Sequence, residues 1–448
     1  MRFVVNTEKE RREMMDSIGI ESIQDLFKDI DEKIVLRRPL KLQLPLSEQE
    51  LMDEFSKISR KNADVESYRC FLGAGAYNHF IPSIVPHLIG RSEFYTAYTP
   101  YQAEISQGLL QAIFEFQTLI CQLTGMDVCN ASLYDGASAL AEAAIMATNV
   151  SRKREVIVSS TIHPEYREVV KTYVEGRGLE YRELGWHDGI TSMVELEKKV
   201  SEKTAAVLVQ NPNFFGNLEE LEDIGKVAHE KKALFVVCVV EPTSLGLLKA
   251  PGELGADIVV GEGQSLGNSI SFGGPHLGIL ATRQEFLLKV PGRLVGMTTD
   301  TKGRRGFVMT LQAREQHVRR EKATSNICSN QALNALAATV YLAALGRNGF
   351  RKLSQLNAQK ARYLQARISE LDGFETRFKK PFYNEFVVRC PIDPSKINRE
   401  LAKNHIIGGL PLKRFYRELE DCWLLCTTER NTRSDIECLI EVIKGISV

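Results

Sequence analysis

Four stretches of the chain gather residue types that can do chemistry. The first is Phe94-Tyr-Thr-Ala-Tyr-Thr-Pro-Tyr-Gln-Ala-Glu104. Tyr95, Tyr98 and Tyr101 recur every three residues, with Thr96, Thr99, Gln102 and Glu104 between them. Pro100 disfavours helix at Thr99. So many phenols and hydroxyls suit a site that orients a small polar ligand, or a protein interface, where tyrosine is enriched. A tyrosine-rich packing loop is the plainer alternative. The second stretch is Asp135-Gly136-Ala137-Ser138, just before an apolar helix from Leu140 to Met146. Free N–H groups and the positive dipole end at such a place can cradle a phosphate. An ordinary N-cap ahead of an alanine-rich helix explains it equally.

His163 and Glu241 each follow a β-rich run, where open α/β sheets bind ligands. Glu241 can pair with a cationic ring nitrogen or cap a turn, and His163 can be structural. The last stretch, Gly261 to His276, is a Gly/Ser-rich turn after another such run. Its glycine spacing does not match a dinucleotide fingerprint. Gly273-Gly274-Pro275 fits a close backbone approach at a site, or a tight turn at an interface. Metal chemistry has little support. The nine cysteines are scattered, and Cys422-Trp-Leu-Leu-Cys426 is apolar between its ends, with no His or Cys pair at zinc spacing beside it. Buried small side chains are the expectation there.

The elements that must position these residues can be read from periodicity. Glu155–Ser160, Ala205–Gln210, Leu234–Val240, Ala256–Gly261 and Leu277–Thr282 are short apolar runs without alternation. Strands buried on both faces look like this. Helical stretches at Pro164–Gly176, Met193–Lys203 and Leu218–Lys232 separate several of them. Strand–helix–strand repetition predicts a mostly parallel sheet with right-handed crossovers. Further on, a helix is predicted over Ser329–Leu345, stopped by Gly346, and another over Lys352–Leu371. Strands over Glu385–Cys390 and Cys422–Thr427 and a capped helix over Thr432–Lys444 follow. Ahead of all this lie helices at Ser22–Lys28 and Ser47–Lys61. Ser47 with Glu48 and Glu50 gives the second an N-cap and an acidic first turn, one residue short of a capping box. Between them Val35–Leu46 carries two prolines in an apolar run and reads as an extended arm. The expected organisation is an arm over 1–72, a large α/β domain over 73–330 and a small α+β domain over 331–448.

Composition bounds the function classes. The chain has 448 residues with 57 basic and 57 acidic side chains, so no global attraction to nucleic acid or an anionic membrane is expected. No run approaches a membrane span, and the N-terminal stretch turns charged where a signal peptide would be apolar. An odd, scattered cysteine set points to a reducing compartment, hence a cytoplasmic protein.

Several of these segments taken together resemble a known family. Phe71-Leu-Gly-Ala-Gly-Ala-Tyr77, the Tyr-rich stretch to Glu104, Ala131-Ser-Leu-Tyr-Asp-Gly-Ala-Ser138, Gly263-Gln-Ser-Leu-Gly267 with Phe272-Gly-Gly-Pro-His276, and Pro291-Gly-Arg-Leu294 followed by Arg304-Arg-Gly-Phe307 carry the likeness. They are similar to the N-terminal-half subunits of the glycine cleavage system P-protein, a glycine dehydrogenase (decarboxylating). The resemblance runs end to end. It implies the aspartate-aminotransferase-like fold (fold type I) of pyridoxal-phosphate enzymes. The implied activity is decarboxylation of glycine through pyridoxal phosphate, with transfer of the aminomethyl group to the lipoyl arm of the H-protein. The implied partner is a lysine-bearing second subunit, in a heterotetramer of two of each. That subunit's His-Lys aligns with Gln264-Ser265, and this chain has no lysine between Lys249 and Lys289. Neither aligned side chain can form an imine. Glu241 falls within a few residues of the acid that should hold the pyridine nitrogen. The resemblance therefore implies a degenerate cofactor site at Gly136, Ala137, Ser138, His163, Glu241 and Ser265, with no catalytic residue expected in this chain alone. Its contribution to the partner's site would come from Tyr95, Thr96, Tyr98, Thr99, Tyr101, Gln102 and Glu104. A free-standing pyridoxal-phosphate enzyme using an atypical lysine such as Lys249, and a non-catalytic scaffold, are the alternatives.

Overall fold

A computed structural model describes residues 5–446 of the chain. It divides into two compact units, Met1–Asn62 and Ala63–Val448. In the first unit, helix α1 (Glu8–Ile18) and helix α2 (Glu48–Ser59) have no buried residue. Thr7 with Glu10 caps α1, a helix the sequence reading does not single out. Ser47 caps α2 through a complete capping box. Its hydroxyl accepts from the Glu50 amide at 3.3 Å, and the Glu50 carboxylate accepts the Ser47 amide at 2.8 Å. The box thus closes on Glu50, where the sequence reading stopped one residue short. The helix expected over Ser22–Lys28 forms only a 3-10 turn, Ile23–Phe27. The segment between the two helical pieces has no regular structure over 35–46.

The second unit is built on a seven-stranded sheet. Its strands are β1 (Val128–Cys129), β2 (Glu155–Ser159), β3 (Glu180–Leu184), β4 (Thr204–Gln210), β5 (Leu234–Val239), β6 (Ile258–Glu262) and β7 (Gly278–Thr282). They lie in the order β1-β7-β6-β5-β4-β2-β3. Strands β2 to β6 pair in parallel, and β7 runs antiparallel to β6 and β1. Strands β2, β4, β6 and β7 are buried along their whole length. Successive side chains enter different cores. Val156 and Val158 pack with the alanines of helix α4 (Gly136–Ser151), while Ile157 and Val207 pack with Phe116 of helix α3 (Gln107–Thr124). This two-sided burial is why the runs carry no alternation.

Helices α5 (Pro164–Gly176) and α6 (Leu221–Glu230) fill crossovers of the sheet. A hairpin, β8 (Leu294–Thr299) with β9 (Arg305–Thr310), extends from its edge region. Helix α7 (Ala332–Ile368) is continuous except at Gly346, whose φ of 57° and ψ of −179° break it where the sequence predicted the stop. Beyond it β10 (Glu375–Thr376), β11 (Glu385–Arg389), β12 (Leu410–Pro411) and β13 (Cys422–Cys426) form an antiparallel sheet in the order β10-β11-β13-β12. Helix α8 (Arg433–Lys444) covers it, with the expected Thr432–Asp435 capping box. Cys422 and Cys426 are both buried in β13. Among the described residues no helix is long and apolar enough to cross a membrane.

Candidate functional site

The carboxyl ends of β2, β5 and β6 carry His163, Glu241 and Ser265 into one buried region. Glu241 is its centre. The Ser265 hydroxyl donates to Glu241 Oε2 at 2.9 Å, and His79 Nε2 lies 3.1 Å from the same oxygen. The other oxygen accepts the Thr243 amide at 3.0 Å. His79 Nδ1 reaches Glu429 at 2.7 Å. Burial opposes charge on this imidazole, but the two carboxylates outweigh it and hold its pKa up at about 10. His79 is thus an imidazolium near neutrality. Glu241 caps a turn through the Thr243 amide, and the ring nitrogen it meets is that of His79. That ring belongs to the chain itself.

The segment Phe71–Tyr77 lies over the remaining side chains. Gln264 makes paired hydrogen bonds with the Tyr77 backbone, accepting its amide at 2.9 Å and donating to its carbonyl at 3.1 Å. The Tyr77 hydroxyl donates to Glu385 at 2.8 Å, and the Ala74 amide donates to the other Glu385 oxygen at 2.6 Å. His163 Nε2 lies 3.0 Å from the Ala74 carbonyl, and its Nδ1 accepts the Glu165 amide at 3.2 Å. Hence the ring donates from Nε2 and caps α5 with Nδ1. Gly75 has φ of 106°, and a Cβ there would sit 2.9 Å from His163 Nε2. Only glycine lets the backbone pass so close.

At the start of α4 the anion cradle is already served by the chain's own carboxylates. Glu262 Oε2 accepts the Gly136 amide at 3.0 Å, and Asp135 Oδ1 accepts the Ser138 amide at 2.8 Å. Glu262 Oε1 takes the Gln264 and Leu277 amides at 3.0 and 2.9 Å. A phosphate brought here would meet two acids of its own sign. With Ser265 in place of an imine-forming amine, and Gln264, Tyr77 and His79 packed around it, these residues do not fit pyridoxal phosphate. Lys249 offers no substitute. Its side chain is 71% exposed and lies 3.8 Å from Glu222 on the surface.

The tyrosine loop lies apart from this cluster, and no hydrogen bond joins the two among the described residues. A short helix, Ser92–Tyr95, opens the loop, and Thr96 Oγ1 donates back to the Ser92 carbonyl at 2.7 Å. Tyr95, Thr96, Tyr98, Tyr101, Gln102 and Glu104 are exposed, Tyr98 at 83%, while Thr99 is half-buried. Beneath the loop is a cavity of about 180 Å³ whose walls include Tyr95, Tyr98, Thr99, Arg293, Ser329 and Asn330. The structure therefore separates the sequence-predicted residues into a buried cluster (His163, Glu241, Ser265), a cradle whose Ala137 and Ser138 border a surface pocket with His276, and an open loop.

The glycine cleavage system P-protein family model matches residues 1–443. The chain belongs to this family. A protein of Desulforamulus reducens named "Probable glycine dehydrogenase (decarboxylating) subunit 1" is 54% identical over 447 residues, covering 100% of both chains. One of the same name from Carboxydothermus hydrogenoformans is 53% identical over 445 residues, covering 99% of this chain and 100% of its own. A crystal structure of glycine decarboxylase (P-protein) of the glycine cleavage system, in inhibitor-bound form, superposes with a TM-score of 0.90 at 44% identity. The match covers 99% of this chain and 100% of that one. Sphingosine-1-phosphate lyase of Burkholderia pseudomallei shares the fold, with a TM-score of 0.66 at 14% identity over 92% of this chain and 93% of its own. The fold is that of the aspartate-aminotransferase class. The name "subunit 1" implies a second subunit.

Within this P-protein chain, sequence reasoning located His163, Glu241 and Ser265. It gave no role to His79, Glu262, Glu385, Glu429 or Arg293. Of these, Arg293 stood in the motif Pro291-Gly-Arg-Leu294 and Glu262 in the stretch from Gly261 to His276.

Proposed function

We propose that this chain is the subunit of the glycine-decarboxylating P-protein that does not carry the cofactor. Its partner subunit holds pyridoxal phosphate on a lysine, and the complete enzyme, two copies of each chain, works in the cytoplasm. The cofactor supplies an electron sink for loss of carbon dioxide from glycine, and the aminomethyl group passes to the lipoyl arm of the H-protein. The observation that carries this reading is Ser265, standing where the imine-forming lysine belongs and hydrogen-bonded to Glu241. The large and small domains, 73–330 and 331–448, serve here as a scaffold for surfaces that meet the partner. The tyrosine loop is the one we assign to the partner's active site. A phenol-rich, exposed loop can orient a small substrate and close it from water.

Borohydride reduction of the assembled enzyme followed by peptide mapping tests the assignment. A reduced pyridoxyl-lysine is expected on the partner alone. Its appearance on any lysine of this chain would overturn the reading.

A further inference from the structure

We infer that Arg293 is a carboxylate anchor, poised in the cavity under the tyrosine loop to hold the carboxylate of a small amino acid. Arg293 is only 8% exposed. Its guanidinium donates to Asn330 Oδ1 at 3.0 Å, to the Cys328 carbonyl at 2.7 Å and, at 3.4 Å, to the Tyr101 hydroxyl. All three acceptors are uncharged. The buried Nε–H has no hydrogen-bond partner among the described residues. A guanidinium has five N–H donors in a fork that matches a carboxylate, and a buried one ordinarily has a counter-ion. Here the positive charge borders a cavity instead.

The surroundings hold this guanidinium in place before any ligand arrives. Gly292 turns with φ of 75° beside Asn130 and Leu133. Asn130 donates to the Pro291 carbonyl at 3.0 Å, and the Ala131 amide donates to the Arg293 carbonyl at 2.8 Å. Arg314 donates to the Val290 and Gly292 carbonyls from the other side. Asn330, which orients the guanidinium, is itself fixed by donating to the Ala131 carbonyl at 2.8 Å. The cavity, about 180 Å³, has room for a ligand as small as glycine. Tyr95, Tyr98 and Thr99 line the same cavity and can add hydroxyl donors.

This inference rests on the proposed function, since glycine is then the carboxylate bound. The test uses the assembled two-subunit enzyme with Arg293→Gln and Arg293→Lys. Assembly is followed by size exclusion, glycine KM and kcat by turnover, and acetate affinity by calorimetry. Acetate has the carboxylate but no amine. We expect Arg293→Gln to raise the glycine KM by roughly 10- to 100-fold with a smaller change in kcat, and to weaken acetate by a similar factor. Arg293→Lys keeps the charge without the fork and should fall between. An assembled Arg293→Gln enzyme with unchanged KM and acetate affinity overturns the inference. If Arg293→Gln fails to assemble, an assembled Arg293→Lys enzyme with unchanged acetate affinity overturns it instead. A parent enzyme that does not bind acetate, with assembly lost in Arg293→Gln, would assign the guanidinium to a carboxylate of the partner and also overturn it. Failure of the two parent chains to combine would sink the proposed function, and this inference with it.

Discussion

His79 shows how one residue can couple a sealed site to pH. Its imidazolium lies between Glu241 and Glu429, with a folded-state pKa of about 10 against ~6.5 in an unfolded chain. Between those values the folded chain holds a proton that the unfolded chain has lost. Stability from this group is complete below pH ~6.5 and falls as pH rises toward 10, by up to ~1.4 kcal/mol per unit. Glu385 acts in the same direction at lower pH. Burial pushes it up to about 7, so it too binds a proton more tightly when folded. Replacing His79 by Gln leaves two buried carboxylates without their cation, at a cost of about 3–5 kcal/mol near pH 7. The gap in thermal midpoint between parent and His79→Gln should narrow from pH 7 to pH 10. Equal gaps at both pH values would show that the ring is neutral. Of this cluster only Glu241 and Ser265 were legible in the sequence. Ser265 stood out because a lysine was missing, whereas His79 and Glu429 are 350 residues apart and belong to no periodic pattern.

At the scale of elements, the start of α4 shows why a cradle motif is ambiguous. Its free amides look the same in sequence whether a phosphate or a carboxylate answers them. The answer lies in Glu262, at the end of β6, which serves the Gly136, Gln264 and Leu277 amides together. Glu262→Ala leaves these buried donors without an acceptor and should cost about 1–3 kcal/mol, read from the urea midpoint. An unchanged midpoint would mean that water serves the amides. The parallel strands β2, β4, β5 and β6 were legible to within about two residues, because burial on both faces leaves unbroken apolar runs, whereas the edge strand β3, mostly exposed, was missed. Hairpin β8–β9 was not. Its outer half, including Met297, Thr298 and Thr299, is exposed, so neither an apolar run nor a clean alternation marks it. Met193–Lys199 is shorter than expected because Val200 turns to extended backbone ahead of β4.

The whole molecule bears apolar surface that a solitary chain does not need. In the unit Met1–Asn62, Leu36, Leu40, Leu42, Leu44 and Leu46 are all exposed, Leu44 at 85%, and Met52 and Phe55 of α2 are exposed as well. The prolines Pro39 and Pro45 keep this stretch from folding into a helix that could bury its leucines against itself. Ile84, Leu247 and Tyr98 add exposed apolar and aromatic positions in the second unit. Exposed apolar side chains gathered on one short segment mark an interface, and obligate interfaces bury on the order of 2,000 Å² or more. A second subunit, implied by the name of the relatives, is the occupant our proposal requires. Replacing Leu42 and Leu44 together by Asp puts two charges on the arm without touching the core of the second unit. We expect the double variant to keep a parent-like circular dichroism spectrum. Its co-elution with the partner subunit should weaken by 10-fold or more, since two buried leucines are worth roughly 3–6 kcal/mol of apolar contact. The parent chain alone should self-associate at micromolar concentration and become monodisperse only with its partner. If instead the parent is a monodisperse monomer and Leu42→Asp/Leu44→Asp binds the partner as tightly as the parent does, the arm is a solvated tail. The interface would then have to be sought on the second unit.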